Sequence, residues 1–144
     1  MKAKVQWQQG VSFLGQSETG HDVWMDGPAE HGGQDRGPRP MELLLIGMGG
    51  CTAFDVVHIL RKGRLAVDAC EADLSAERAD SDPRVFTRIH VHFRVRGRGL
   101  PEEAVQRAIT LSAEKYCSAS IMLAKTAVIT HDFEIIESTP AGVA

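Results

Sequence analysis

Hydrophobic positions near the start of the chain alternate with polar ones, at the two-residue period of a half-buried strand. Ala3, Val5 and Trp7 alternate with lysine and glutamine, and two more short extended runs continue to Asp26. This pattern predicts a small antiparallel meander of three strands. Residues 27–40 then show no apolar period and contain many glycines and prolines, which indicates a long loop, either a mobile lid or a plain connection.

The most apolar stretch of the chain, residues 41–60, predicts a long helix of roughly six turns. Pro40 suits the first helical position, Gly63 suits the C-terminal cap, and Arg61 and Lys62 lie where the helix dipole favours cations. Apolar side chains cover nearly its whole circumference, while its glycines and internal charged residues argue against a membrane span. Because so short a chain would struggle to cover this helix alone, we predict a homodimer whose subunits wrap each other's central helix.

Two further alternating runs follow, and together they predict a hairpin. Residues 70–77 place acids on one face, and residues 88–96 place arginines and histidines on the same side, which favours antiparallel pairing. A second helix is predicted to open at Pro101, a short third helix to be capped by Ser118, and a last strand to cover residues 129–135. The sequence therefore predicts an α+β fold, a single domain over residues 1–144, with antiparallel sheets around a long buried central helix.

Composition narrows the class of protein. The formal net charge is -3 over 144 residues, so the chain lacks the basic field on which nucleic-acid binding depends. The N-terminus lacks the apolar core of a signal peptide, and we expect a cytoplasmic location. Three cysteines without an export signal are poor evidence for a disulfide framework, which leaves reactive or inert thiols.

The three cysteines differ in their expected surroundings. Cys70 lies on the apolar side of a predicted strand, where a free cysteine behaves as a small hydrophobe. Cys117 immediately precedes the predicted Ser118 cap, where the positive end of a helix would stabilise a thiolate. Packing between two helices explains Cys117 equally well, so its local sequence leaves both interpretations open.

Cys51 follows two glycines within the central helix, where absent side chains leave room for a small substrate or a second thiol. A buried cysteine at a tight helix crossing is the alternative. Asp55 and His58 lie at i+4 and i+7 from Cys51 and share its face, as a Cys/His/Asp hydrolase would require. Spacing alone carries little weight, and satisfied internal polar groups or a dimer contact are the favoured interpretation.

Two histidines on the predicted hairpin, His90 and His92, share one strand face and form a candidate metal pair. A cysteine or His131 would have to supply a further ligand. Because these histidines share their face with arginines, the sequence favours a solvated surface at this position.

Two cysteine motifs carry a family resemblance. Residues 39–53, RPMELLLIGMGGCTA, resemble the first cysteine motif of the OsmC/Ohr family, the osmotically inducible and organic hydroperoxide resistance proteins. Residues 114–118, EKYCS, resemble the second motif, and the order of elements agrees over almost the whole chain. Among the branches of this family the sequence is most similar to the YhfA-like group.

The resemblance implies an OsmC-like fold in an intertwined homodimer that reduces organic hydroperoxides with paired cysteines. Cys51 would attack the peroxide and become a sulfenic acid, Cys117 would resolve it as a disulfide, and a dithiol reductant would restore both. The pocket for a small hydrophobic peroxide would be apolar and partly supplied by the partner chain. This chemistry needs no metal and no organic cofactor.

The motifs depart from the characterised peroxidases at two positions. Those proteins carry a glutamate directly after the motif proline, whereas Met41 follows Pro40 here and the acid comes one place later, as Glu42. They also carry a thiolate-stabilising arginine in the N-terminal meander, whereas the first arginine here is Arg36, and Arg39 is a candidate substitute. Glu42 therefore joins the two cysteines as a candidate catalytic residue. A non-enzymatic protein that binds a small ligand in the same pocket is the alternative function.

Overall fold

The computed structural model describes residues 1–139, which form two compact units. The first unit is Met1–Ile46, and the second begins at Gly47. The longest helix, α1 (Pro40–Lys62), begins in the first unit and ends in the second. One domain over residues 1–144 stays a prediction.

The first unit contains the predicted meander. Strands β1 (Ala3–Gln9), β2 (Ser12–Ser17) and β3 (Asp22–Met25) form an antiparallel sheet in the order β1-β2-β3. In its register Val5 faces Gly15 on β2, and Leu14 faces Trp24 on β3. These alternating strands end at tight turns, as the sequence predicts.

Residues 27–40 form a tethered loop whose only regular piece is one turn of 3-10 helix, Ala29–His31. The buried carboxylate of Asp26 accepts hydrogen bonds from the backbone N–H groups of Gln34 at 2.9 Å and Arg36 at 3.1 Å. These two bonds are the main reason that the pKa of Asp26 lies below its ordinary value. Of the two interpretations of this loop, the hydrogen bonds support a fixed connection.

The second unit holds a three-stranded sheet in the order β4-β5-β6. Strands β4 (Ala66–Arg78) and β5 (Phe86–Arg98) form the predicted antiparallel hairpin. Strand β6 (Val128–Glu137) runs parallel to β5, so the prediction of antiparallel sheets is wrong for this pair. The physical reason is the long connection, because a crossover with helices can return the chain to the end of the sheet where β5 began.

That crossover carries three helical segments: α2 (Glu102–Leu111), a π-helical turn (Ser112–Tyr116) and α3 (Ser118–Leu123). The inner face of β5 lies in the core of this unit. The fully or nearly buried apolar residues include Met48, Val56 and Leu60 of α1, Ile89, Val91, Phe93 and Val95 of β5, and Val105, Ala108 and Ile109 of α2.

Helix α1 is less buried in one chain than predicted. Only one stripe is covered, and it comprises Met48, Gly49, Thr52, Val56 and Leu60. Phe54, on another face, is 69% exposed. By length and composition alone α1 would suffice to cross a membrane, a test that the core helix of a soluble protein also passes. One chain thus leaves part of the apolar surface of α1 exposed, and the homodimer stays a prediction.

The outer face of the β4-β5-β6 sheet carries ion pairs across its strands, as the acidic and basic patterns predict. Arg94 contacts Asp73 of β4 at 2.6 Å and Glu134 of β6 at 2.9 Å. His90 and His92 both contact the same carboxylate oxygen of Asp132, at 3.2 Å and 2.6 Å. The histidines thus belong to a solvated hydrogen-bonded surface, as the sequence favours.

The sequence also makes His90 and His92 a candidate metal pair, with His131 or a cysteine as a further ligand, and within residues 1–139 the structure does not bring such a ligand to them. His131 directly precedes Asp132 on β6, so its side chain points to the other face of the sheet, where its ring stacks on the buried Phe93 at 6.2 Å between centroids. Burial lowers the pKa of His131 below its ordinary value. His131 is therefore a partly buried histidine that packs on the core from the face opposite His90 and His92.

Candidate active site at two cysteine thiols

Cys51 is half-buried on α1, next to the buried stripe of that helix. Gly49 lets α1 approach β4 closely, because a Cβ atom at this position would lie 2.7 Å from the Leu74 side chain. A Cβ on the neighbouring Gly50 would meet nothing within 4 Å in the chain. Of the two glycines before Cys51, Gly49 accounts for close packing and Gly50 leaves open space beside the thiol.

Cys117 is fully buried and lies at the junction between the π-helical turn and α3. Its backbone is extended, and its sulfur accepts a hydrogen bond from the backbone N–H of Ser120 at 3.4 Å. Cys117 itself is therefore the N-cap of α3, and the prediction that Ser118 caps this helix is wrong by one residue. A sulfur atom here takes the place of the oxygen that usually accepts this bond.

Burial is the main reason that the pKa of the Cys117 thiol lies above its ordinary value, and the nearby Cys51 thiol raises it further. Ser120 acts in the opposite direction, although its hydroxyl oxygen forms no hydrogen bond of normal geometry. Of the two interpretations that the sequence left open for Cys117, burial in the core accounts for the direction of its pKa.

The structure brings the two cysteines together with a carboxylate. The Cys51 sulfur, the Cys117 sulfur and a carboxylate oxygen of Asp55 all lie within 4.8 Å of one another. Asp55 follows Cys51 by one helical turn, as its i+4 spacing predicts. The two cysteines thus bring α1 beside the start of α3, although they are 66 residues apart in the chain.

A buried hydrogen-bond chain fixes Asp55. The Ser112 hydroxyl donates to the Asp55 carboxylate at 3.0 Å, and the Thr52 and Ser112 hydroxyl oxygens are 2.9 Å apart. Because the single Ser112 proton goes to Asp55, Ser112 accepts the Thr52 proton. Thr52 and Ser112 are both fully buried. Sequence reasoning missed both hydroxyls, and only a threonine beside Cys51 on an apolar helix could have drawn attention to one.

Cys70 is half-buried on the face of β4 that also carries Ala72 and Leu74. Burial raises the pKa of its thiol above the ordinary value. A thiol with a raised pKa is a poor nucleophile at neutral pH, because the thiolate is the reactive form. This agrees with the interpretation of Cys70 as packing.

The hydrolase interpretation finds no support in the contacts of His58. Its ring stacks on Phe54, with centroids 5.9 Å apart, and Asp55 receives its hydrogen bond from Ser112. A Cys/His/Asp triad needs the imidazole hydrogen-bonded to the thiol and to the carboxylate. His58 and Asp55 instead line a cavity of about 580 Å³, together with Ile59, Lys62, Gly63, Arg107, Leu111 and Tyr116.

Glu42 takes part in the start of its own helix. Its carboxylate accepts a hydrogen bond from the backbone N–H of Arg39 at 2.9 Å, and it lies in the first turn of α1. This bond satisfies a donor at the helix start, and a negative charge there is favoured by the helix dipole. A structural role thus accounts for Glu42 here, and its catalytic role stays a prediction.

The site pairs a thiol on a long apolar helix with a second thiol at the start of a short helix. The class of protein is thus an α+β protein with a site of two neighbouring cysteines. The chain belongs to the OsmC-like family, whose model, described as "OsmC-like protein", matches residues 32–132. Protein YhfA of Escherichia coli strain K12 is 50% identical over 136 residues, which cover 94% of this chain and 98% of the relative.

Solved structures show the same fold. A hypothetical protein from Aquifex aeolicus VF5 is 26% identical, with a TM-score of 0.84 over 96% of this chain and 97% of its own. The organic hydroperoxide resistance protein OhrB of Bacillus subtilis is 22% identical, with a TM-score of 0.63 over 93% of this chain and 98% of its own. These matches confirm the predicted family and its mixed α+β fold.

Proposed function

We propose that this protein reduces organic hydroperoxides with the thiols of Cys51 and Cys117. The observation that carries the proposal is the placement of both sulfur atoms within 4.8 Å in the reduced chain. Disulfide formation requires the two sulfurs to approach each other by less than about 3 Å, because the S–S bond is about 2.05 Å long. Fold similarity to proteins named for organic hydroperoxide resistance supports the same substrate class.

The proposed reaction balances with one peroxide and one dithiol. The Cys51 thiolate attacks the terminal oxygen of R–O–O–H, the O–O bond breaks, and the alkoxide takes a proton to leave as an alcohol. The Cys117 sulfur then attacks the Cys51 sulfenic acid, an S–S bond forms, and water leaves with the Cys117 proton. A dithiol reductant supplies two electrons and two protons to restore both thiols.

Burial supports this order of attack. Cys51 is half-exposed and reachable by a substrate, whereas Cys117 is fully buried and its pKa is raised. A buried thiol with a raised pKa reacts slowly with a molecule from solution but well with a sulfenic acid held beside it. Cys51 is therefore assigned the attack, and Cys117 the resolution.

A decisive test combines peroxide consumption with trapping of the intermediate. Reduced protein and cumene hydroperoxide with a dithiol should consume peroxide, and mass spectrometry should find a Cys51–Cys117 disulfide. Cys117→Ser should stop after one turnover, with a sulfenic acid on Cys51 that dimedone labels. Cys70→Ser is the matched control and should retain wild-type turnover. No peroxide consumption, or a disulfide through Cys70, would contradict the proposal.

The cavity beside Asp55 favours a second candidate function, the binding of a small ligand without turnover. Its volume of about 580 Å³ falls within the range of small-molecule sites, and its lining combines Leu111 and Tyr116 with the cations Lys62 and Arg107. Such a lining suits an apolar molecule with an acidic group. Thermal stabilisation by such ligands that persists in Cys51→Ser and falls in Arg107→Ala would support this function. Stabilisation that disappears with Cys51→Ser would favour the thiol chemistry.

A homodimer belongs to the proposal, as does a cytoplasmic location where thiols stay reduced. In one chain Phe54 is 69% exposed, Met122 is 72% exposed and Tyr116 is 50% exposed. Large apolar side chains exposed to this degree favour a covering partner surface. Light scattering should give twice the chain mass, and Phe54→Glu should shift it toward the monomer, whereas an unchanged monomeric mass in the wild type would exclude this assembly.

A further inference from the structure

The cluster of Cys51, Asp55 and Cys117 also has the composition of a metal site. Tetrahedral zinc has Zn–S bonds of about 2.3 Å and Zn–O bonds of about 2.0 Å, which place two sulfur ligands roughly 3.8 Å apart and the oxygen roughly 3.5 Å from each sulfur. The three ligand atoms lie within 4.8 Å of one another without a metal. A contraction of at most about 1.3 Å in each of these distances would thus bring them to bonding positions.

The ligands are held by a second layer of hydrogen bonds. Ser112 donates to one carboxylate oxygen of Asp55, which leaves the other oxygen free to bind a cation. The Ser120 backbone N–H points at the Cys117 sulfur. Outer partners of this kind orient ligands and raise metal affinity.

A second observation at this site concerns the Ser120 hydroxyl. The Ser120 hydroxyl is 2% exposed and has no hydrogen-bond partner among the described residues, although it lies beside the Cys117 sulfur. An unpaired buried hydroxyl costs about 1–3 kcal/mol. A Cys117 thiolate, or a water bound to a metal, would be an acceptor for it.

The donor set selects the kind of cation. Two thiolates are soft ligands that Mg²⁺ and Ca²⁺ avoid, whereas zinc and similar divalent ions accept sulfur and carboxylate together. Three protein ligands leave the fourth position of a tetrahedral ion open. The thiols must be reduced, since a disulfide between the same two sulfurs removes both thiolates.

We propose that the reduced protein binds one zinc-like divalent cation through Cys51, Asp55 and Cys117, with a fourth position open to water. Each thiol loses its proton to solvent when its sulfur binds the metal. The bound cation and the Cys51–Cys117 disulfide exclude each other. Metal occupancy would thus protect the thiols from peroxide.

Cobalt(II) is the probe that tests this site, because it replaces zinc and reports its ligands by absorption. Reduced, chelator-treated full-length protein should bind one equivalent under anaerobic conditions, with a sulfur-to-cobalt charge-transfer band and visible bands of tetrahedral intensity. Zinc added afterwards should remove both. Cys51→Ser and Cys117→Ser should each lose about half of the charge-transfer intensity per bound cobalt.

Oxygen ligation and the outer layer are tested by conservative variants. Asp55→Asn, which keeps the side-chain shape, should lower cobalt affinity at least tenfold, and Ser112→Ala should lower it by roughly 10–100-fold. Cys70→Ser is the matched control and should bind as the wild type does. Absence of the charge-transfer band in wild-type protein, or an unchanged band in Cys51→Ser, would overturn the proposal.

The peroxidase proposal and the metal proposal can be refuted independently of each other. Peroxide consumption is measured in the presence of a chelator, and cobalt binding is measured without peroxide. Cobalt binding by protein that consumes no peroxide would refute only the proposed function. Peroxide turnover by protein with no cobalt spectrum would refute only the metal site.

Discussion

Removal of the Ser112 hydroxyl tests the buried chain from Thr52 to Asp55. Ser112→Ala leaves the fully buried Thr52 hydroxyl without an acceptor and deprives the Asp55 carboxylate of its donor. An unsatisfied buried polar group costs about 1–3 kcal/mol, while Asp55 is half-buried and can recruit water for its lost bond. We therefore expect Ser112→Ala to lower the free energy of unfolding by about 2 kcal/mol, nearly 30-fold in the folding equilibrium.

A double-mutant cycle distinguishes this cause from simple loss of packing. Thr52→Val keeps the shape of the side chain and removes the hydroxyl that Ser112→Ala would leave without an acceptor. Ser112→Ala should therefore lower the free energy of unfolding much less in the Thr52→Val protein than in the wild type. We expect a coupling of about 1 kcal/mol between the two positions. Urea unfolding followed by circular dichroism, with all four proteins at one concentration in case of dimerisation, measures it. Strict additivity, or a loss below about 0.5 kcal/mol in Ser112→Ala, would refute the reasoning.

Two other predictions concern packing and charge. Gly49→Ala should be less stable than Gly50→Ala by about 1–2 kcal/mol in urea unfolding, because only the first new Cβ meets Leu74, while both gain helix propensity. Equal stabilities would contradict that close contact. Asp132→Asn should destabilise the protein more at pH 5.5 than at pH 8, because Asp132 is the main cause that raises the pKa of His92 in the folded state.

The sign of the pH effect follows from linkage. A histidine whose pKa is raised by folding contributes stability that is fully present below its unfolded pKa of about 6.5 and is lost as the pH rises through the folded value. Asp132, whose pKa is lowered mainly by its hydrogen bond to His92, contributes stability above about pH 3.9 that is lost in acid. The contribution of the pair is therefore largest between these limits. A penalty for Asp132→Asn that grows above pH 7 would contradict this assignment.

Local chemistry predicted the elements of this fold well. Pro40 begins α1 as predicted, and the helix ends at Lys62, directly before Gly63. The alternation over residues 88–96 lies within the longer strand β5, whose inward residues are buried. These features depend on neighbours in sequence, so their physical causes can be read from the chain.

Features that depend on distant parts of the chain could not be predicted in this way. The parallel direction of β6 is set by the crossover through α2 and α3, and alternation along a strand carries no information about its direction. Ser112 reaches Asp55 across 57 residues because a π-helical turn places it there. The pairing of Cys51 with Cys117 came from a family resemblance, since the local sequence around each thiol left core packing open as an alternative.

Because Cys117 caps α3, oxidation of this cysteine would affect the stability of that helix. The same sulfur atom would form the new covalent bond and already holds the first turn of the helix through the Ser120 N–H. Formation of the S–S bond would require this sulfur to move toward Cys51, because the two sulfurs lie within 4.8 Å of each other and a disulfide is about 2.05 Å long. Losing a cap costs a helix about 0.5–2 kcal/mol. Oxidation would then loosen the first turn of α3. The hydrogen-exchange rate of the Ser120 amide would then report the redox state of the two cysteines without any external label.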